Sequence, residues 1–149
     1  MKAISPTKLI REFSISNRSI YNVLYLYGPP DKTASFVTSI KQEVQNRNPI
    51  ATIIHTTGHA FCNDTILHYC QGIQSRIYGD YLGDLLIFEN IHFVAGKLTA
   101  EQELYRIIDG YLESNRKIVV TGENPLNCIH CLAPRIQAQL ASGLNLKIE

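Results

Sequence analysis

Residues 84–97 read Asp-Leu-Leu-Ile-Phe-Glu-Asn-Ile-His-Phe-Val-Ala-Gly-Lys. The opening DLLIF is an acid followed by four apolar residues. It is too short for a helix and lacks the alternation of a half-solvated strand, so it predicts a strand buried on both faces. Four further runs of the same kind occur, VLYLY at 23–27, ATIIHT at 51–56, KIVVT at 117–121 and LNLKI at 144–148. Helical patterns separate them. Residues 32–46 place Phe36, Val37, Ile40 and Val44 on one stripe, and Asn48-Pro49 stops that helix. Residues 59–77 hold one or two helices broken near Gly72. Thr99 reads as an N-cap with Gln102 at the capping-box position, opening a helix that carries Leu104, Ile107, Ile108, Tyr111 and Leu112. A weaker helix over 129–141 ends at Gly143, a residue type suited to a C-cap. Strands alternating with helices imply right-handed crossovers and an α/β, three-layer parallel sheet with helices on both faces.

Composition narrows the function classes. The 149 residues suit one domain, read as 1–149, and a 45% hydrophobic fraction with 18% charged residues excludes a disordered chain. A net charge of +1 supplies no field for nucleic acid, and no Lys/Arg run supplies a local one. No stretch approaches 18 apolar residues, and no apolar segment follows the N-terminal Lys2 and Ser5-Pro6, so neither a membrane span nor a signal peptide is expected. Four cysteines without secretion signals read as reduced thiols of a cytoplasmic protein. Cys128-Ile129-His130-Cys131 contains a C-x-x-C, but no second such pair exists to complete a zinc site. Unpaired thiols are therefore expected there, with zinc binding, a redox dithiol or unrelated thiol chemistry as alternatives.

The 84–97 stretch resembles the Walker B strand and following loop of the DnaA family of replication initiators, in which an apolar strand ends in two acids. Residues 101–112 (EQELYRIIDGYL) resemble that family's next helix. Residues 117–125 (KIVVTGENP) resemble its first sensor strand and turn, and 135–144 (RIQAQLASGL) its arginine-finger helix. Upstream, Asn48-Pro49 through Asp64 matches the second strand and its helix. The resemblance covers about residues 21–148 and rests on the correct order of five motifs. It implies a P-loop-type AAA+ core of five strands in the order 5-1-4-3-2. Because the sequence stops at Glu149, it implies a core without the family's helical lid, second sensor Arg or DNA-binding domain, and with an incomplete adenine pocket.

Every part of the family's catalytic machinery but the first sensor is altered. A phosphate loop turns successive backbone N–H groups toward phosphates and places a Lys and a hydroxyl at the helix start. Here Gly28, Lys32 and Thr33 remain, but only Pro29, Pro30 and Asp31 lie between Gly28 and Lys32, where the motif has five residues. Two of these lack an N–H and the third is an acid, which could alternatively cap the helix. Glu89 stands at the metal-holding position and Asn90 at that of the water-orienting acid, where an amide cannot act as a base. The alternative is that both simply cap the strand. Glu123 keeps the sensor acid. Gln139 stands at the finger position without a cation, and Arg135, four residues earlier, matches a second family Arg that could serve an interface.

The resemblance thus implies a non-enzymatic, degenerate ATPase. Gly28, Lys32, Thr33, Glu89, Asn90 and Glu123 form a vestigial nucleotide site, Arg135 and Gln139 a partner interface, and no metal site is expected. The expected role is in or regulating initiation of chromosomal replication, through contacts with an initiator or another replication protein, with DNA only an indirect partner. No cofactor is expected, ATP or ADP with Mg²⁺ being at most weak ligands. The alternative is a non-hydrolysing nucleotide-dependent switch or a weak DNA-binding module.

Overall fold

The computed structural model describes residues 22–148. The elements follow the chain as β1 (Val23–Tyr27), α1 (Pro30–Arg47), β2 (Ile53–Thr57), α2 (Gly58–Cys70), α3 (Ile77–Asp80), β3 (Leu85–Glu89), α4 (Leu98–Glu113), β4 (Lys117–Gly122), α5 (Pro134–Ala141) and β5 (Leu144–Lys147). Short 3-10 turns at Gln74–Arg76, Ile91–Phe93 and Leu126–Cys128 lead into α3, α4 and α5. All strand pairs are parallel and the sheet order is β2-β3-β4-β1-β5, the expected 5-1-4-3-2 read from the other edge.

Both faces of the central strands are dry. Val23, Tyr25, Leu86, Phe88, Ile118 and Val120 face a core shared with the helices after β2, β3 and β4. Leu24, Leu26, Leu85, Ile87 and Val119 face a second core closed by Val37 and Ile40 of α1. Such strands cannot alternate apolar with polar, which is why the runs are continuous. In α4, Leu104, Ile107, Ile108 and Tyr111 form the buried stripe. Tyr111 also ties the helix to the loop before β3, accepting from the Gly83 N–H at 2.8 Å and donating to the Tyr81 carbonyl. Its burial pushes the phenol up to about 12.

Several expected boundaries differ. Asp31 is not an N-cap: α1 starts two residues earlier than expected, with Pro29 at the cap and Pro30 in the first turn, where its fixed φ suits a helix and its missing N–H costs nothing. Thr99 is not a cap either. Lys97, in extended conformation, occupies the cap position and Leu98 opens α4. Helix α5 begins at Pro134 rather than 129, because the preceding segment is held open by the Ala133 N–H, which donates to the buried Glu101 carboxylate at 2.6 Å. Gly72, in left-handed conformation at φ 69, follows the end of α2 as expected. Gly143 follows a cap at Ser142, and its φ is ordinary. A side chain there would lie 2.1 Å from the Val23 carbonyl oxygen, so close approach of α5 to β1 requires the glycine.

Helix α3 is pinned to α2 by a polar cluster. His68, 8% exposed, contacts the Asp80 carboxylate through Nε2 at 2.8 Å and donates from Nδ1 to the Asp64 carbonyl at 2.7 Å. Tyr81 donates to the Asp64 carboxylate at 2.7 Å. The hydrogen bond to Asp80, and then that to Asp64, raise the His68 imidazole above its ordinary value. A raised histidine stabilises the fold fully below its unfolded-state value of about 6.5, and that contribution disappears as pH rises through the folded-state value. In urea titrations, the stability gap between the parent and His68→Gln is therefore expected to be larger near pH 6 than near pH 9. A gap independent of pH would show that His68 acts by packing alone.

Candidate functional site

The strand order brings the C-terminal ends of β3, β4 and β1 side by side, and crevices at this edge are where open α/β sheets bind ligands. Gly28 follows β1, Glu89 ends β3, and Glu123 follows β4, so three of the expected site residues share this edge. Lys32 and Thr33 lie on the first turn of α1, Lys32 exposed and Thr33 buried.

Only Gly28 and Pro29 separate β1 from α1, because Pro30 and Asp31 are already helical. Gly28 has φ +147 and lies so close to β5 that a Cβ would stand 2.2 Å from the Ile148 carbonyl oxygen. Its N–H donates to the Gly122 carbonyl at 3.3 Å. The Lys32 and Thr33 N–H groups both point back to the Pro29 carbonyl at 3.0 Å. Pro29 and Pro30 have no N–H to give. From Gly28 to Thr33 that leaves the N–H of Asp31, on a residue whose carboxylate repels phosphate. The Thr33 hydroxyl donates to the Pro30 carbonyl at 3.1 Å, within its own turn. This donor set falls well short of the successive N–H groups a triphosphate cradle uses.

At the end of β3, Glu89 is half-buried and its Oε2 stands 2.9 Å from Nε2 of His55 on β2. Asn90 adopts the left-handed conformation at φ 59, ψ 58 and turns the chain out of the strand. Asparagine tolerates this better than most residues. Its N–H donates to the Thr121 hydroxyl at 3.1 Å, and its carbonyl packs where a side chain on Gly58 would stand, 2.4 Å from that Cβ position. His55 and Thr121 were not singled out from sequence. The register could have found His55: Thr57 pairs with Glu89, which makes His55 a diagonal neighbour on the same face. Glu123 is exposed, one residue before Asn124, whose carbonyl accepts from the Tyr25 hydroxyl.

On α5, Arg135 is exposed, and its guanidinium stacks over the Tyr105 ring of α4 at 4.4 Å. Gln139 faces the interior instead. It is 9% exposed and its side-chain amide donates to the Tyr105 carbonyl at 3.1 Å. Its position therefore supports the α4–α5 contact from within, because the neutral amide can be buried where a guanidinium would need a counter-charge. Cys128 and Cys131 are exposed free thiols, Cys131 at φ 68. Cys62 is buried, and that burial pushes its thiol up. No cluster of three or more His, Cys, Asp or Glu suited to a metal occurs among the described residues, and none of the described helices is long and apolar enough to cross a membrane.

Comparison with known proteins agrees with this architecture. The family model of the bacterial DnaA ATPase domain matches residues 7–147. The chromosomal replication initiator protein DnaA of Symbiobacterium thermophilum is 27% identical over 131 residues, covering 87% of this chain and 29% of that protein. The corresponding protein of Francisella tularensis subsp. novicida is 26% identical over 142 residues, 93% of this chain and 28% of its own length. The chain thus spans less than a third of these curated relatives. Among solved structures, domain III of Thermotoga maritima DnaA superposes with a TM-score of 0.88 at 22% identity, over 97% of this chain and 60% of that one. AMPPCP-bound DnaA from Aquifex aeolicus gives 0.87 at 18% identity, over 95% and 45%. The DnaC helicase loader gives 0.79 at 10% identity, over 99% and 92%. A five-stranded parallel sheet in this order, with the family model matching most of its length, places the chain in the bacterial DnaA ATPase-domain family.

Proposed function

We propose that this chain is a non-hydrolysing member of the DnaA-type AAA+ fold that acts in the initiation of chromosomal replication through contacts with other proteins. The observation that carries this reading is the two-residue junction between β1 and α1, whose N–H groups are absent or already engaged. Asn90 adds to it. An amide cannot accept a proton from water, and loss of a general base costs about 10²–10⁴-fold in rate. Here the same residue also serves as a left-handed hinge. The relatives named as replication initiators and helicase loaders supply the biological setting. Arg135, exposed and held in place by Tyr105, is the side chain best positioned for a partner's carboxylate.

A second reading rests on Lys32, which is exposed on the first turn of α1 near the strand edge that carries Glu89. In it, ADP or ATP is held without turnover and acts as a switch. The charge reversal Lys32→Glu abolishes such binding and leaves the fold intact.

With ATP and Mg²⁺, the expected phosphate release equals the buffer background. It stays there in Asn90→Asp, because restoring the acid does not lengthen the loop. A gain of about ten-fold or more in that variant would mean that the missing base is the sole defect. In pull-downs with the full-length initiator of the same cell, the parent chain is expected to be retained and Arg135→Ala to be retained about ten-fold less. Absence of retention with and without nucleotide would remove the protein-contact reading.

A further inference from the structure

Both ring nitrogens of His68 face oxygens that can only accept a hydrogen bond. Nδ1 lies 2.7 Å from the Asp64 carbonyl and 3.4 Å from that residue's carboxylate, and Nε2 lies 2.8 Å from the Asp80 carboxylate. A neutral imidazole carries one N–H and satisfies one of these contacts, whereas the cationic ring carries two and satisfies both. The arrangement therefore selects the charged ring. The bond to Asp80, and then that to Asp64, raise the imidazole above its ordinary value against the opposing effect of burial. The charged groups acting on the ring are Asp64 on its own helix and Asp80 on α3, and Tyr81 joins them through the Asp64 carboxylate. On the other elements packed against α2, Glu103 of α4 accepts from the Tyr69 hydroxyl, His55 of β2 pairs with Glu89, His92 stacks on Phe93, and Arg76 ahead of α3 is exposed.

What gives way when the proton leaves is decided by how residues 71–80 are otherwise held. Ile77 is the one fully buried side chain among them, with Ile73 and Tyr78 half-buried. Helix α3 has four residues, whereas a helix alone in water needs about 12–15 to persist. A Cβ on Gly72 or on Gly79 would meet nothing within 4 Å, so neither end of the stretch is packed in. The far end is fixed at Tyr81, which lies edge-on to Phe61 at 5.0 Å and accepts from Tyr111 through its carbonyl. The Nδ1 bond of His68 is made within α2 and travels with that helix, whereas the Nε2 bond crosses to α3. Asp80, its side chain 54% exposed, hydrates readily once the ring opposite it is neutral. We infer that this cluster is a pH-operated latch, in which the doubly protonated His68 ring clamps residues 71–80 to α2 and loss of its proton frees that segment from an otherwise folded domain. The latch is closed below the ordinary imidazole value of about 6.5 and opens as pH climbs through the raised folded-state value. Segments with few buried contacts are where such local opening occurs.

The test is nitrogen NMR of the isotopically labelled full chain, from pH 6 upward until His68 is neutral, read at the ring and at the backbone amides. Near pH 6 the shifts of both His68 ring nitrogens should be those of N–H groups. The amides of Ile73, Arg76 and Leu82, hydrogen-bonded to His68, Ile73 and Gly79 in the closed form, should lose their protection from solvent exchange with the midpoint of the ring. Val119 and Val120 in β4 should stay protected, each rate being taken relative to that of an unstructured amide at the same pH. In Asp80→Asn, which removes the carboxylate from α3, the ring midpoint and the loss of protection should move together to lower pH. A ring with a single N–H near pH 6 overturns the inference. So do amides that stay protected once the ring is neutral, that open only together with β4, or that open at an unchanged pH in Asp80→Asn.

Discussion

The close passage of Gly28 past Ile148 is the constraint on which much of the rest depends. With a would-be Cβ 2.2 Å from that carbonyl, only glycine lets β1 run tight against the end of β5, and Ile148 returns an N–H to the Tyr27 carbonyl at 2.7 Å. The chain then has a single further residue, Pro29, before it is helical. The two prolines fix φ near its helical value at the start of α1, which makes the junction short and stiff. A helix entered this abruptly is seated at once on Leu24, Leu26 and Ile87 through Val37 and Ile40. The same shortness removes the turn in which a phosphate loop would present its donors. The tight packing and the sparse set of free N–H donors at this junction thus have one cause.

The other end of the site follows similar logic. Glu89 can stay half-buried because His55 stands beside it on the neighbouring strand, and Asn90 can adopt a left-handed turn because Gly58 leaves room for its carbonyl. The residues that the resemblance sets at catalytic positions are therefore built into the scaffold. Gln139 shows this most plainly, since its amide lies inside the α4–α5 contact. Arg135, one turn earlier, remains at the surface.

The architecture was legible because its signal is distributed. Five apolar runs and the helical stripes between them survive shifts of a residue or two, as the displacement of β2 from 51–56 to 53–57 illustrates. The helix starts were less legible because caps depend on local geometry. Asp31 and Thr99 have suitable side chains, yet Pro30 and Lys97 place the first turns elsewhere. In the site, positions along each strand could be read from motif order, whereas partners across strands could not. The His55–Glu89 pair, the Thr121 bond to Asn90 and the His68–Asp80 contact all join residues at least twelve apart, and they become visible only once the fold is known.

Whether the β1–α1 junction still accepts nucleotide is tested most directly by calorimetric titration of the purified chain with ATP and with ADP, each with Mg²⁺. No detectable heat of binding is expected up to millimolar nucleotide. A saturating isotherm in the micromolar range would contradict it, because the N–H groups of Gly28, Lys32 and Thr33 would then have to leave their present carbonyl partners to meet the phosphates.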